Sequence, residues 1–455
     1  MSVVTIQLGQ CGNQIGFEFY DLLSNSATKP GCAPSSSFHS NDYSDLVSER
    51  FFYANEKEKM FARAVMVDME QKVVGQAFHE TQRHSSTWSY HKDRQVTGRK
   101  GSGNNWAQGY CHHGPKCISD VLDKVSKEVE RCDSLGGFLA LMSLAGGTGS
   151  GLGAFVTTAL KDEYPHTTIV NNVIWPYTTG EVIVQNYNAV LTLSHLYSAS
   201  DGIVFMENEK MQKICSQLLR IKNISFKDIN KVVASKLAGV FLPALETNNS
   251  VHLSKFVIAD ILRNVCSHTG YKLLNILNIP VVAKMSLAYT SYNWNMLVKH
   301  CRQMLIANAN MEEGVNWSIK LPRQGKPVPS TVVATETSPF NRSLSNQIFL
   351  RGKDANIVDL SSFEDSQLYA TWVPGYGRFH LAHHTTSYND IEQSVTLLSN
   401  SQTPLKPLNA VVSKAWNMFA SRAYVHQYCK HGIVEDDFVD SFVALEQVIK
   451  NYSSL

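Results

Sequence analysis

Gly146-Gly147-Thr148-Gly149-Ser150-Gly151 is the densest run of residues in this chain that could do chemistry. It follows an apolar stretch, Phe138 to Leu144, that reads as a strand, and it precedes Leu152 to Leu160, which reads as a helix. Strand, glycine-rich turn and helix together hold phosphate. Glycines let the backbone come close to the ligand, and their N–H groups line up with the positive end of the helix. Thr148 and Ser150 add hydroxyls, which suit a nucleotide polyphosphate better than an apolar substrate. The alternative is a flexible turn. A Walker loop needs Lys-Ser or Lys-Thr after the last glycine, and Leu152 stands there instead. Gly149, Gly151 and Ala154 match the dinucleotide fingerprint G-x-G-x-x-G/A. That fingerprint expects an acid at the end of the next strand to bind ribose. The next apolar stretch, Thr168 to Ile174, is followed by Trp175-Pro176, and the first acid is Glu181.

A phosphate turn needs a sheet to carry it. Val3 to Leu8 reads as a strand, Gly9 to Gln14 as a polar glycine-punctuated turn, and Ile15 to Leu23 as a helix. Residues 24 to 48, rich in Ser, Asn and Pro, read as a surface loop. Ala62 to Asp68 is a further apolar strand that ends in Asp68-Met69-Glu70. Gly101 to Asn105 forms a third glycine and amide loop, and Ile118 to Cys132 is helical by period, with Ile118, Val121, Leu122, Val125 and Val129 on one stripe. Alternating strands and helices predict a parallel, doubly wound α/β sheet, in which ligands sit beyond the carboxyl ends of the strands. The polar loops after residues 8, 67 and 144 all fall at such ends, and their convergence says more than any one of them.

The composition shifts after about residue 209, where Lys210 to Lys222 reads as a long helix. Residues 320 to 345 carry four prolines and read as irregular connections. The last 50 residues read as two helices, one with Val412, Ala415, Trp416, Phe419 and Ala423 on a face, the other with Phe438, Phe442, Leu445, Ile449 and Tyr452. A chain of 455 residues predicts two or three domains. With 44% hydrophobic and 18% charged residues and a formal net charge of +2, it has the balance of a soluble globular protein, without the bulk charge of a nucleic-acid binder. Nine cysteines without a CxxC pair, and an opening of Met1 to Leu8 interrupted by Thr5 and Gln7, predict reduced thiols in a cytosolic compartment with no secretory leader. Cys111, His112, His113 and Cys117 cluster, but their spacing fits no common zinc pattern. No apolar stretch approaches the length needed to span a bilayer.

VTIQLGQCGNQIG at 4–16 and AGGTGSGLG at 145–153 resemble tubulin motifs, as do VDME at 67–70, GSGNNWA at 101–107, ENE at 207–209 and AWNMFASRAYVHQY at 415–428. The resemblance to the tubulin superfamily covers essentially the whole chain. IWPYTTGEVIVQNYN at 174–188, LRGKD at 350–354 and the 415–428 segment resemble the delta type most. The chain ends Lys450-Asn451-Tyr452-Ser453-Ser454-Leu455 in place of a strongly acidic tail, which predicts that the usual docking surface for motors and tail-modifying enzymes is lacking.

The resemblance implies a tubulin-like fold: a nucleotide-binding domain at 1–209, a smaller α/β intermediate domain at 210–402 and a C-terminal helical hairpin at 403–455. It implies GTP or GDP with Mg2+. Gln10, Cys11 and Gln14 would lie along the nucleotide, Asn104 would approach the terminal phosphate, and Ser143 with Ala145, Gly146, Gly147, Thr148, Gly149, Ser150 and Gly151 would cradle the diphosphate. Asn208 and Asn230 would read the guanine edge, since amides donate and accept in fixed geometry. Phe226 would stack on the base. Glu70, with Asp68 close by, would act at the magnesium, which prefers oxygen ligands. Gln185 stands where a glutamate near the ribose is usual, and Glu181 offers a carboxylate nearby. Asp260, aligned through Asn278-Ile279-Pro280, would orient water at the nucleotide of a neighbouring subunit. The implied role is cytoskeletal, in the cytoplasm at centrioles, basal bodies and cilia. The implied partners are other tubulins, epsilon-tubulin in particular, and centriolar proteins, with no nucleic acid and no membrane. The alternatives are a self-assembling GTPase that forms or joins microtubule-like filaments, and a dinucleotide-dependent enzyme, against which the missing ribose acid counts.

Overall fold

The computed structural model describes residues 1–28, 39–54, 59–84, 87–180, 182–246, 258–322 and 340–455. Eleven strands form one sheet: β1 (Ser2–Leu8), β2 (Ala64–Asp68), β3 (Gln95–Thr97), β4 (Leu135–Ser143), β5 (Ile169–Trp175), β6 (Gly202–Glu207), β7 (Leu245–Glu246), β8 (Leu273–Ile279), β9 (Ser343–Gly352), β10 (Phe379–His384) and β11 (Gln393–Ser401). Their order across the sheet is β7-β10-β9-β11-β8-β6-β5-β4-β1-β2-β3. From β8 to β3 every neighbour is parallel. Beyond β8 the pairing turns antiparallel at β11 and β9. One sheet therefore runs through the regions expected to be the nucleotide-binding and intermediate domains.

The parallel strands are apolar almost without alternation because both of their faces are covered. Val4, Ile6 and Leu8 of β1 enter a core shared with Phe138, Ala140 and Met142 of β4. Val3 enters the opposite core with Tyr20, Leu139 and Leu141. Burying a Val, Leu or Phe side chain contributes about 1.5–3 kcal/mol, which outweighs any preference of a single strand residue for another conformation. The first face carries the helices Gly114–Val129, Gly153–Glu163 and Gln185–Ala199, with the C-terminal helices Leu405–Ala420 and Glu435–Ser453 packed over the last. The second face carries Gly9–Thr28, Gln71–His84 and Phe226–Phe241. Among the described residues no helix is long and apolar enough to cross a membrane.

Several expected boundaries move. No turn separates β1 from the first helix, which starts at Gly9 and runs to Thr28. Gly9 has φ +71°, a conformation L side chains rarely adopt, so one residue reverses the chain, and the Asn13 amide donates to the Gly9 carbonyl at 2.9 Å. The segment expected as loop at 24–48 instead carries the end of that helix and a second one, His39–Phe51. Buried Tyr43, Val47 and Phe51, four residues apart, supply the stripe that holds it; residues 29–38 lie outside the described residues. The strand expected at 62–68 splits: Met60–Ala62 joins a separate three-stranded sheet, and only Ala64–Asp68 enters the main one. The helix expected at 210–222 is Asn208–Lys213 followed by a π-helical turn, Ile214–Leu218. Much of the proline-rich 320–345 stretch, from 323 to 339, lies outside the described residues.

Candidate nucleotide site

Because β1, β2, β4, β5 and β6 are parallel, Leu8, Asp68, Ser143, Trp175 and Glu207 all end at one edge. The loops that follow interlock at backbone distance. A Cβ on Gly9 would lie 2.7 Å from the Gly149 nitrogen, and one on Gly149 would lie 2.8 Å from the Ser143 hydroxyl. A Cβ on Gly147 would meet the Asn105 carbonyl at 2.6 Å, and Gly109 and Gly151 press on the carbonyls of Gly147 and Trp106. Ser102 and Thr148 share a hydroxyl hydrogen bond at 2.9 Å, and the Ser150 hydroxyl donates back to the Gly146 carbonyl. These glycines thus serve close packing of three loops as well as open backbone N–H groups. The Thr148–Leu152 turn leads directly into the helix Gly153–Glu163, placing its N-terminal N–H groups beside the loop.

The sequence-predicted residues fall as follows. Gln10 is exposed and Cys11 and Gln14 are half-buried on the first turns of the helix Gly9–Thr28. Burial pushes the Cys11 thiol up to about 12, so it stays protonated. Asn104 is exposed with φ +54°. Ser143, Ala145 and Gly146 are half-buried around the loop mouth. Asp68 is buried; its Oδ1 accepts from the Glu70 N–H at 3.1 Å, and its Oδ2 has no hydrogen-bond partner among the described residues. Burial raises its carboxyl to about 6, against the lowering pull of the Glu70 N–H. Glu70 is exposed with its carboxylate against Gly101, where a Cβ would stand 2.5 Å from Oε1. An orphaned buried carboxylate oxygen beside an exposed carboxylate is an oxygen donor set of the kind magnesium takes.

A cleft beside the loops is lined by Asn13, Gln14, Phe17, Glu18, Phe226 and Asn230, among others. Phe226 opens the helix Phe226–Phe241, whose start is fixed by a capping box between Ser225 and Asp228. Its ring is 59% exposed, so its position at the cleft is not set by core packing. Asn208 is half-buried at the start of its own short helix. Gln185 is buried and donates to the Tyr177 carbonyl at 2.7 Å, so in this structure it ties down the 176–180 segment. Glu181 lies outside the described residues. In the Cys111–Cys117 group, His112 meets Lys116 at 3.0 Å and the Cys117 thiol donates to the Gly114 carbonyl.

Asp260 is not part of this constellation. It sits on the helix Ile258–Val265, bound to Arg263 at 2.7 Å. Ile258 of that helix packs on Gly137, near the amino end of β4. Ser143 lies six residue steps along the strand from Gly137, about 20 Å at the rise of an extended chain. The fold therefore puts Asp260 at the opposite end of the sheet from the phosphate loops of its own chain.

Three positioning residues were not legible beforehand. Asn13 is buried and ties the Gly9 carbonyl to that of Val67. Asn105 accepts from the Ala107 and Gln108 N–H groups and so shapes its own loop. Asn188 is buried on the helix Gln185–Ala199, between two loops it does not adjoin in sequence. Nothing local marks it apart from the other asparagines of that stretch.

Residues 2–216 match the Tubulin/FtsZ family, GTPase domain. Over the full length of both chains the sequence is 48% identical to the tubulin delta chain of Canis lupus familiaris, 47% to that of Homo sapiens and 46% to that of Mus musculus.

Proposed function

From the premise that this chain belongs to the tubulin family, we propose that it is a guanine-nucleotide-binding tubulin of the delta kind, a cytoskeletal protein of centrioles, basal bodies and cilia that organises centrioles and their microtubule triplets. Its partners are other tubulins, epsilon-tubulin in particular, and centriolar proteins. The observation that carries the nucleotide reading is the interlock of the 101–105 and 145–151 loops with the first turn of the helix Gly9–Thr28 at one edge of the parallel sheet.

In this reading the 145–151 loop and Ser143 hold the diphosphate, with Gln10 and Cys11 beside it and Asn104 at the terminal phosphate. Gln14, Asn208 and Asn230 contact the sugar and base, and Phe226 stacks on the base. Asp68 and Glu70 hold magnesium, directly or through water. Magnesium, when bound, offsets the negative charge of the phosphates. Asp260 serves a neighbouring subunit by orienting water, for which its carboxylate must give up Arg263. The position of Asp260 at the far end of the sheet supports a role across a subunit boundary over one within the chain.

The test is to denature the purified protein and identify the released nucleotide by ion-exchange chromatography. Guanine nucleotide is expected at close to one per chain. GTP would mean that hydrolysis awaits a partner. GDP, with GTP-dependent sedimentation, would favour the self-assembling GTPase. A nicotinamide cofactor, or no guanine nucleotide, would overturn the reading.

A further inference from the structure

Asn188 is fully buried and uses every hydrogen-bonding position of its amide. Its Nδ2 donates to the Asn104 carbonyl at 2.8 Å and to the Ala145 carbonyl at 2.7 Å. Its Oδ1 accepts from the Trp106 N–H at 3.0 Å and from the Tyr428 hydroxyl at 2.6 Å. The orientation of the amide is determined by its surroundings, since two donors face the oxygen and two carbonyls face the nitrogen. One nitrogen therefore sets the spacing between the loop that carries Asn104 and the loop that opens at Ala145.

Tyr428 comes from the opposite end of the chain, on the short helix Val425–Cys429. Its ring is wedged between Tyr187 and Phe438, with centroids 5.6 and 5.3 Å away. Two further bonds tie the same segment to the 101–105 loop and to the helix that carries Asn188. The Asn105 amide donates to the Gln427 carbonyl at 3.2 Å, and the Tyr187 hydroxyl donates to the Ala423 carbonyl at 3.0 Å. The C-terminal helices are in addition packed on the helix Gln185–Ala199 by apolar contacts.

We propose that Tyr428, acting through Asn188, is a positioning residue of the nucleotide site that holds the terminal-phosphate loop in register with the diphosphate loop, so that the C-terminal segment takes part in telling a triphosphate from a diphosphate. This rests on the guanine-nucleotide reading above. Of these two loops, a diphosphate in this reading meets only the one that opens at Ala145, whereas a triphosphate needs both at the correct spacing. By linkage, the nucleotide that depends on the pair also changes the stability of the Tyr428 contact.

The test compares wild type with Tyr428→Phe, using displacement of a fluorescent guanine nucleotide by GTP and by GDP. Loss of one buried hydrogen bond predicts a fall of roughly 3- to 10-fold in GTP affinity with GDP affinity nearly unchanged. Hydrogen exchange at 423–430 is expected to differ between GTP and GDP in wild type and to be equal in the variant. Asn188→Asp removes both donors and should have the same sign with a larger effect; Tyr428→Phe decides the matter if that variant does not fold. An unchanged GTP-to-GDP ratio in Tyr428→Phe overturns the inference, and so does an equal loss for both nucleotides, which marks a purely structural role. Wild-type protein that binds neither nucleotide overturns the underlying reading as well.

Discussion

Gly9→Ala is the sharpest single perturbation of this site. Gly9 holds φ +71°, and the added methyl would stand 2.7 Å from the nitrogen and 2.9 Å from the Cα of Gly149. Neither neighbour is a flexible side-chain end, so backbone must move. An L residue in the left-handed region costs about 1–2 kcal/mol. Forcing a methyl into a packed interior costs about 1–3 kcal/mol more. The sum, about 2–5 kcal/mol, falls on the loop that would carry the diphosphate, so stability and GTP affinity should both drop. Urea denaturation followed by circular dichroism, with nucleotide binding in parallel, measures the two effects. Gly75→Ala is the matched control. Gly75 lies in the helix Gln71–His84 with nothing within 4 Å of its Cβ position, and alanine there should add about 0.5–1 kcal/mol. A Gly9→Ala protein with the wild-type midpoint and undiminished GTP affinity would refute the claim that these loops interlock.

Phe226→Ala should leave the fold intact, because the ring is largely exposed, and should weaken GTP by about 1–3 kcal/mol, roughly 5- to 150-fold, if the ring stacks on the base. Unchanged affinity by calorimetry removes it from the site. Burial raises the Glu18 carboxyl from 4.5 to about 7, opposed by Lys227 and Lys231 and assisted by Asp21 and Glu80. The folded chain then keeps a proton that the unfolded chain releases. The associated stability is present below about pH 4.5 and is lost as pH rises through about 7. Glu18→Gln should flatten that decline in Tm against pH, leaving the shares from Glu312, which burial also raises to about 7, and from Asp68, raised to about 6; an unaltered slope counts against it. Arg94 and Glu128 form a buried ion pair at 2.6 Å, and burial pushes the Glu128 carboxyl up against the lowering effect of Arg94. Arg94→Ala should cost about 3–5 kcal/mol in urea, most of it recovered in the double variant Arg94→Met, Glu128→Leu. A loss under 1 kcal/mol would show the pair to be dispensable.

The sequence by itself determined the parallel core and the chemistry at its edge. Runs such as Phe138 to Met142 are apolar on both faces, and only a sheet covered on both sides buries them. Polar segments directly after three apolar runs, at residues 8, 67 and 144, lie at one edge, because parallel strands end together. Boundaries were less legible. Gly9 reverses the chain in one residue, so a segment read as a turn became helix, and Tyr43, Val47 and Phe51 form a stripe hidden in a polar stretch. The tertiary structure alone decided which polar atoms meet. Tyr428 reaches Asn188 across 240 residues, and Asp68 is desolvated by neighbours on other elements. Local propensity acts over one or two turns of chain. The partner of a buried amide or carboxylate depends on which loops the sheet order and the C-terminal helices bring into contact, and a single sequence carries no local mark of that.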